Sequence, residues 1–61
     1  MKMSELHRLI RQNGWTALPH RGKGSHIRYI KNGRIYTVPY HNSKEIDNDF
    51  AKKILKDLGI L

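Results

Sequence analysis

The chain contains no cysteine, so neither a disulfide framework nor a thiolate metal site can staple it. That composition fits a reducing, cytoplasmic setting. Long apolar runs are missing too. They stop at two or three residues, far short of the roughly 20 a membrane helix needs, and "MKMSELHRLI" lacks the apolar region of a signal peptide. A soluble, unprocessed protein with no membrane partner is expected. Proline and aromatic residues are few, with two Pro, one Trp, three Tyr and one Phe in 61 residues. A chain of this length forms one domain, residues 1–61, and buries only about 60% of its unfolded surface, so its core must be thin.

Acidic residues are the other shortage. Five Asp and Glu stand against twelve Lys and Arg, a net charge of +7, and a polyanion, nucleic acid before membrane surface, is the expected partner. The charge is unevenly placed. Residues 1–14 hold three cations and one acid, residues 15–39 five cations and no acid, and residues 40–61 four of each. Most of the excess therefore lies in residues 15–39, the segment that also holds "RGKGSHIRY", residues 21–29.

Helical spacing of Leu6, Leu9 and Ile10 predicts a first helix, capped by Ser4, running to about Asn13 and stopped by Gly14. His7 falls off that stripe and reads as solvated. "WTAL", residues 15–18, reads as a short strand cut off by Pro19. "HIRYI" and "RIYTV" flank Asn32-Gly33, a strong hairpin signal. A two-residue turn sets Lys31 opposite Arg34, Ile30 opposite Ile35, Tyr29 opposite Tyr36, Arg28 opposite Thr37 and Ile27 opposite Val38. Alternation then turns Ile27, Tyr29, Tyr36 and Val38 toward the core and His26, Arg28, Ile30, Ile35 and Thr37 away from it. After a loop at "HNSKEI", Asp47 caps a second helix reaching about Leu58, with Phe50, Ala51, Ile54, Leu55 and Leu58 as its apolar stripe and Gly59 as its stop. Lys52, Lys53 and Lys56 fall on its outer side. The fold class is α+β, in the order αβββα, a three-stranded antiparallel sheet with both helices on one face. The same order is found in the double-stranded RNA-binding domain.

From the residues alone, His26 is either a solvated strand residue or a proton-transfer group in a phosphate-binding setting. Trp15, Tyr29, Tyr36 and Phe50 are assigned inward by the apolar pattern, and Tyr40 is the candidate to stack on a base. His41 reads as organising the turn before the second helix. The four histidines lack the i, i+4 pairing of helical zinc sites and have no acidic ligand nearby, so no metal and no cofactor is expected.

Taken in order, "GW" after the first helix, "GSH" opening the second strand, "VPYHNSKEI" leaving the third and "AKKILKDLGI" at the end resemble the HicA family of toxin ribonucleases. The resemblance spans Ser4 to Ile60. It implies a double-stranded RNA-binding-domain-like fold, cleavage of mRNA that inhibits translation and growth, and neutralisation by a HicB antitoxin. It also places the family's catalytic histidine on His26.

Metal-free cleavage requires a base for the ribose 2′-OH, and histidine is well suited to that at neutral pH. Arg21, Lys23 and Arg28, with the backbone N–H groups of Gly24 and Ser25, could stabilise charge on the phosphoryl oxygens. Lys52 and Lys53 are further candidate RNA contacts. His20 could be the general acid, a phosphate contact or a replaceable loop residue, and Ser25 could orient the phosphate or simply begin the strand. The expectation is a metal-independent endoribonuclease that does not bind DNA by itself. A non-catalytic RNA-binding domain, or a small protein that only holds a protein partner, are the other readings of the same charge.

Overall fold

The computed structural model describes residues 1–19, 26–40 and 45–61. Helix α1, Met3–Gln12, buries Met3, Leu6, His7 and Ile10. It begins ahead of the expected cap at Ser4, which lies within its first turn and is exposed. The reason is tertiary. Lys2 forms an antiparallel bridge with Glu45, and the Met1 carbonyl accepts the Ile46 N–H at 2.9 Å. The chain is thus held extended through Lys2, whose own carbonyl accepts the N–H groups of Glu5 and Leu6 at 3.0 and 3.1 Å.

Strands β1, Thr16–Ala17, β2, His26–Lys31, and β3, Arg34–Pro39, make an antiparallel sheet in the order β1-β2-β3. The expected hairpin register is observed from Lys31 opposite Arg34 to Ile27 opposite Val38, and it continues to His26 opposite Pro39. Asn32 and Gly33 both have positive φ, 52° and 78°, as the tight turn demands. Strand β1 is shorter than "WTAL". The Trp15 N–H bonds back to the Ile10 carbonyl, so that residue closes the helix instead of joining the ladder, although Leu18 still donates to Arg28 at 2.8 Å.

Helix α2, Asn48–Asp57, starts where Asp47 accepts hydrogen bonds from the N–H groups of Asp49 and Phe50 at 3.1 and 3.2 Å. Its C-terminus is tied to the sheet by Tyr36, whose hydroxyl donates to Asp57 at 2.9 Å. Burial pushes the Tyr36 phenol up, and the neighbouring Asp57 carboxylate adds to it.

One core joins Met3, Leu6 and Ile10 of α1, Tyr29 and Val38 of the sheet, and Ala51, Ile54 and Leu55 of α2, with Trp15, Ile46 and Leu58 closing its margins. All sheet residues in it belong to one face. Both helices therefore cover that face, and His26, Arg28, Ile35 and Thr37 stand exposed on the other. Each fully buried Leu, Ile or Val contributes about 1.5–3 kcal/mol. The fold is the expected αβββα arrangement. Among the described residues, no helix is long and apolar enough to cross a membrane.

Two assignments need correcting. Phe50 is 44% exposed. At about 100° per residue it lies roughly 90° from the centre of the Ala51, Ile54, Leu55, Leu58 stripe, in the first turn of α2. His7, expected in solvent, is 1% exposed. Its position three before Ile10 and four after Met3 is inside the buried stripe once Met3 is counted and Leu9, only half-buried, is treated as its flank.

Both helices end in the same device. Beyond α1, Gly14 donates to Arg11 and Trp15 to Ile10; beyond α2, Gly59 donates to Lys56 and Ile60 to Leu55. The glycines have φ of 91° and 75°. Lys31 adds a cation at the end of α1, its Nζ donating to the Asn13 carbonyl at 2.8 Å. A Cβ on Gly14 would lie 3.3 Å from the Lys31 side chain, whereas nothing lies within 4 Å of one on Gly59. Gly59→Ala should cost about 1–2 kcal/mol from backbone strain alone. Gly14→Ala should cost more, and urea unfolding of the two variants side by side measures the difference.

Candidate nucleic-acid interface

The orientation of the β2 backbone follows from one bond. Because the Arg28 carbonyl points to β1 and accepts from Leu18, the backbone groups of Ile27 and Tyr29 point to β3. Ile27 with Val38 and Tyr29 with Tyr36 are then the hydrogen-bonded pairs, while Arg28 with Thr37 and His26 with Pro39 are the non-bonded ones. Two consequences follow at the end of the hairpin. Pro39, which has no N–H, occupies a position where none is needed. Non-bonded pairs also bring Cα atoms to about 4.5 Å with their side chains on one face, so the Pro39 ring stands beside the His26 imidazole.

His26 is exposed as the first residue of β2. No hydrogen bond to another described residue occupies its ring nitrogens. Arg28 follows on the same face at a spacing of about 6.7 Å along the strand. An imidazole and a guanidinium so arranged can together meet one phosphodiester, the first exchanging a proton and the second holding charge. Thr37 and Ile35 of β3 lie on the same face.

The structure does not gather all the sequence candidates there. Lys52 and Lys53 are exposed on α2, which packs on the opposite face of the sheet, so they and Arg28 do not form one flat patch. His20, Arg21, Lys23, Gly24 and Ser25 lie outside the described residues, as does His41. Tyr40 is half-buried against the core, its ring meeting that of His7 at 86° with centroids 4.9 Å apart. It belongs to the margin of the core more than to an open stacking platform. Among the described residues, no three His, Cys, Asp or Glu side chains come together as a metal site would require.

Sequence reasoning missed two features. The first is a cationic groove on α1 lined by Lys2, Ser4, Glu5, Arg8 and Arg11. The i, i+3 spacing of Arg8 and Arg11 was the signal for it. The second is the His7 network. His7 Nε2 lies 2.9 Å from the Pro39 carbonyl and Nδ1 lies 2.6 Å from the Tyr29 hydroxyl. A carbonyl can only accept, so Nε2 carries the proton and donates to Pro39, leaving Nδ1 to accept from Tyr29. Arg11, one turn along α1, lies near enough to the Tyr29 hydroxyl for its charge to act on it.

Burial pulls the His7 pKa below the ordinary histidine value; the bond to Pro39 partly opposes that, and the Arg11 charge reinforces it. Burial also raises the Tyr29 phenol, so it stays protonated and able to donate.

Fold, charge and exposed imidazole describe a small basic α+β domain with His26 and Arg28 on its open sheet face. Residues 3–60 match the family model described as the HicA toxin of bacterial toxin-antitoxin systems, and the chain belongs to that family. It is similar to a protein named probable mRNA interferase HicA from Pseudomonas fluorescens (strain Pf0-1), with 37% identity over 60 residues covering 98% of this chain and 97% of that protein. It is equally similar to probable mRNA interferase HicA 2 from Photorhabdus laumondii subsp. laumondii, 37% identical over 60 residues and 98% of each chain. No solved structure matches significantly.

The lowered His7 pKa has a measurable consequence. Between the ordinary value of 6.5 and the lower folded one, the unfolded chain binds a proton that the folded chain does not. His7 therefore stabilises fully above about pH 6.5, and that contribution is lost as pH falls toward the folded pKa. Urea unfolding at pH 7.5 and 5.5 should show lower stability at the acid pH. His7→Gln should flatten the part of that dependence centred below 6.5.

Proposed function

We propose that this chain is a toxin that cleaves mRNA without a metal ion, with His26 as its proton-transfer residue, and that a HicB-type antitoxin holds it inactive. The observation that carries this reading is the exposed His26 at the head of β2, beside Arg28 on the helix-free face, in a chain that belongs to the HicA family. Relatives named as mRNA interferases support the substrate class.

In this reaction the neutral imidazole of His26 takes the proton of a ribose 2′-OH. The 2′ oxygen then bonds to the adjacent phosphorus while the bond to the 5′ oxygen breaks. The departing oxygen takes a proton from a second acid, for which His20 is the candidate. The products are a 2′,3′-cyclic phosphate and a free 5′-OH. Arg28 stands where it can offset charge on the phosphoryl oxygens, lowering the barrier most at the transition state.

The net +7 charge gives sequence-tolerant attraction to the RNA backbone. An antitoxin would silence the toxin by covering the open sheet face or by competing for the cations around it. Free toxin would inhibit translation, and with it growth.

Purified protein incubated with single-stranded mRNA in EDTA should cut it to fragments with cyclic-phosphate ends. His26→Ala should fold, retain antitoxin binding and lose about 10²–10⁴-fold of the cleavage rate. Cleavage abolished by EDTA, or undiminished in the folded variant, would refute the mechanism; RNA retardation without cleavage would make the chain a binding domain.

Arg28→Ala should reduce the dependence of log affinity on log salt by about 0.7, the share of one phosphate contact on a single strand. Filter binding of RNA by the His26→Ala and His26→Ala/Arg28→Ala proteins at several salt concentrations measures it.

A further inference from the structure

We propose that His7, a buried residue of α1 remote from the open face, positions the His26 side chain through Pro39. This rests on the reading of His26 as the proton-transfer residue.

The path has two steps, a hydrogen bond and a ladder pairing. Nε2 of His7 donates to the Pro39 carbonyl at 2.9 Å. Pro39 is the last residue of β3 and the partner of His26 in the ladder, where no backbone hydrogen bond joins the two. Its side chain is a rigid ring, so fixing its backbone fixes the wall beside the imidazole. Both strands end here. Between β2 and β3 the last ladder hydrogen bonds belong to the Ile27 and Val38 pair, one residue inward. A terminal pair without its own bonds would fray unless held from outside the sheet, and His7 supplies that hold.

The hold is itself rigid. His7 is 1% exposed, and its other nitrogen takes the hydroxyl proton of Tyr29, a residue with no exposed surface at the centre of β2. Tyr40 closes against the ring edge-on. The imidazole therefore bridges the middle of β2 to the end of β3, coupling the fully buried part of the sheet to its exposed catalytic corner. A purely structural role would be met by the Tyr29 bond and the apolar contacts. The bond to Pro39 adds a directional constraint at the one ladder position shared with His26.

The test separates the two bonds. Single-turnover RNA cleavage with saturating protein, together with ¹H–¹⁵N spectra of the His26 ring, is measured for His7→Leu, His7→Gln, Tyr29→Phe and Pro39→Ala, with melting temperatures for each. His7→Leu should lower the maximal rate about 10–10²-fold with little change in KM. His7→Gln, which can still donate to Pro39, should recover most of the rate. Tyr29→Phe, which keeps the bond to Pro39, should melt earlier yet lose far less of the maximal rate than His7→Leu does. Pro39→Ala keeps the carbonyl but loses the ring, and should lower the rate as His7→Leu does.

Rates that follow melting temperature across all four variants, or a His26 ring signal unmoved by His7→Leu, would overturn the proposal. Should His7→Leu fail to fold, the contrast between Pro39→Ala and Tyr29→Phe decides the matter. Undiminished cleavage by His26→Ala would instead refute the reading of His26 as the catalytic group, while the ring spectra still decide whether His7 positions it.

Discussion

The two-residue turn at Asn32 and Gly33 sets the face of the sheet that every residue of β2 and β3 occupies, and both core and site depend on it. A slip of one residue in the pairing would exchange those faces, since side chains alternate along a strand. Tyr29 and Val38 would leave the core, and His26 and Arg28 would enter a space already filled by two helices. Burial of Tyr29 and exposure of His26 are therefore one constraint seen from two sides. The glycine and asparagine at the turn accept positive φ, which keeps the loop short enough to permit a single register.

Around that hairpin, the small domain compensates for its thin core by closing its ends with hydrogen bonds. Both helices finish in a glycine-based C-terminal motif, Asp47 caps α2, Tyr36 ties α2 to β3, and Lys31 caps the carbonyl end of α1. His7 does the same at the end of the sheet and at a higher stake, because it is buried and each of its nitrogens is matched to a partner. A buried polar group satisfied on both sides specifies an arrangement more sharply than apolar packing does, and its loss on either side leaves a desolvated atom unpaired.

His26 is exposed on the helix-free face of a chain that belongs to the HicA family. Cations are found on two sides of the molecule, on the sheet face at Arg28 and on the helices at Lys52 and Lys53 and in the groove of Arg8 and Arg11. Such a distribution suits attraction to a long flexible polyanion better than recognition of a fixed duplex shape, since a single strand can bend around the edge of the sheet.

Local patterns were enough to read the order of the elements, the hairpin register, the Asp47 cap, both glycine stops and the outward direction of His26 and Arg28. Each follows from contacts within a few residues or from strict alternation, and such signals survive in one dimension. Phe50 was misplaced because apolar character alone does not say how far around a helix the sheet reaches. The start of α1 was misplaced because Lys2 is held by Glu45, 43 positions away. His7 looked like a solvated polar residue, since its burial depends on a hydroxyl and a carbonyl supplied by β2 and β3, 22 and 32 positions distant. The sequence by itself determined the αβββα order and the face on which His26 lies, because periodicity and turn chemistry are local. Only the tertiary structure decided that His7 is buried and reaches the ladder position opposite His26, because a polar side chain can be buried only where the folded chain brings it partners.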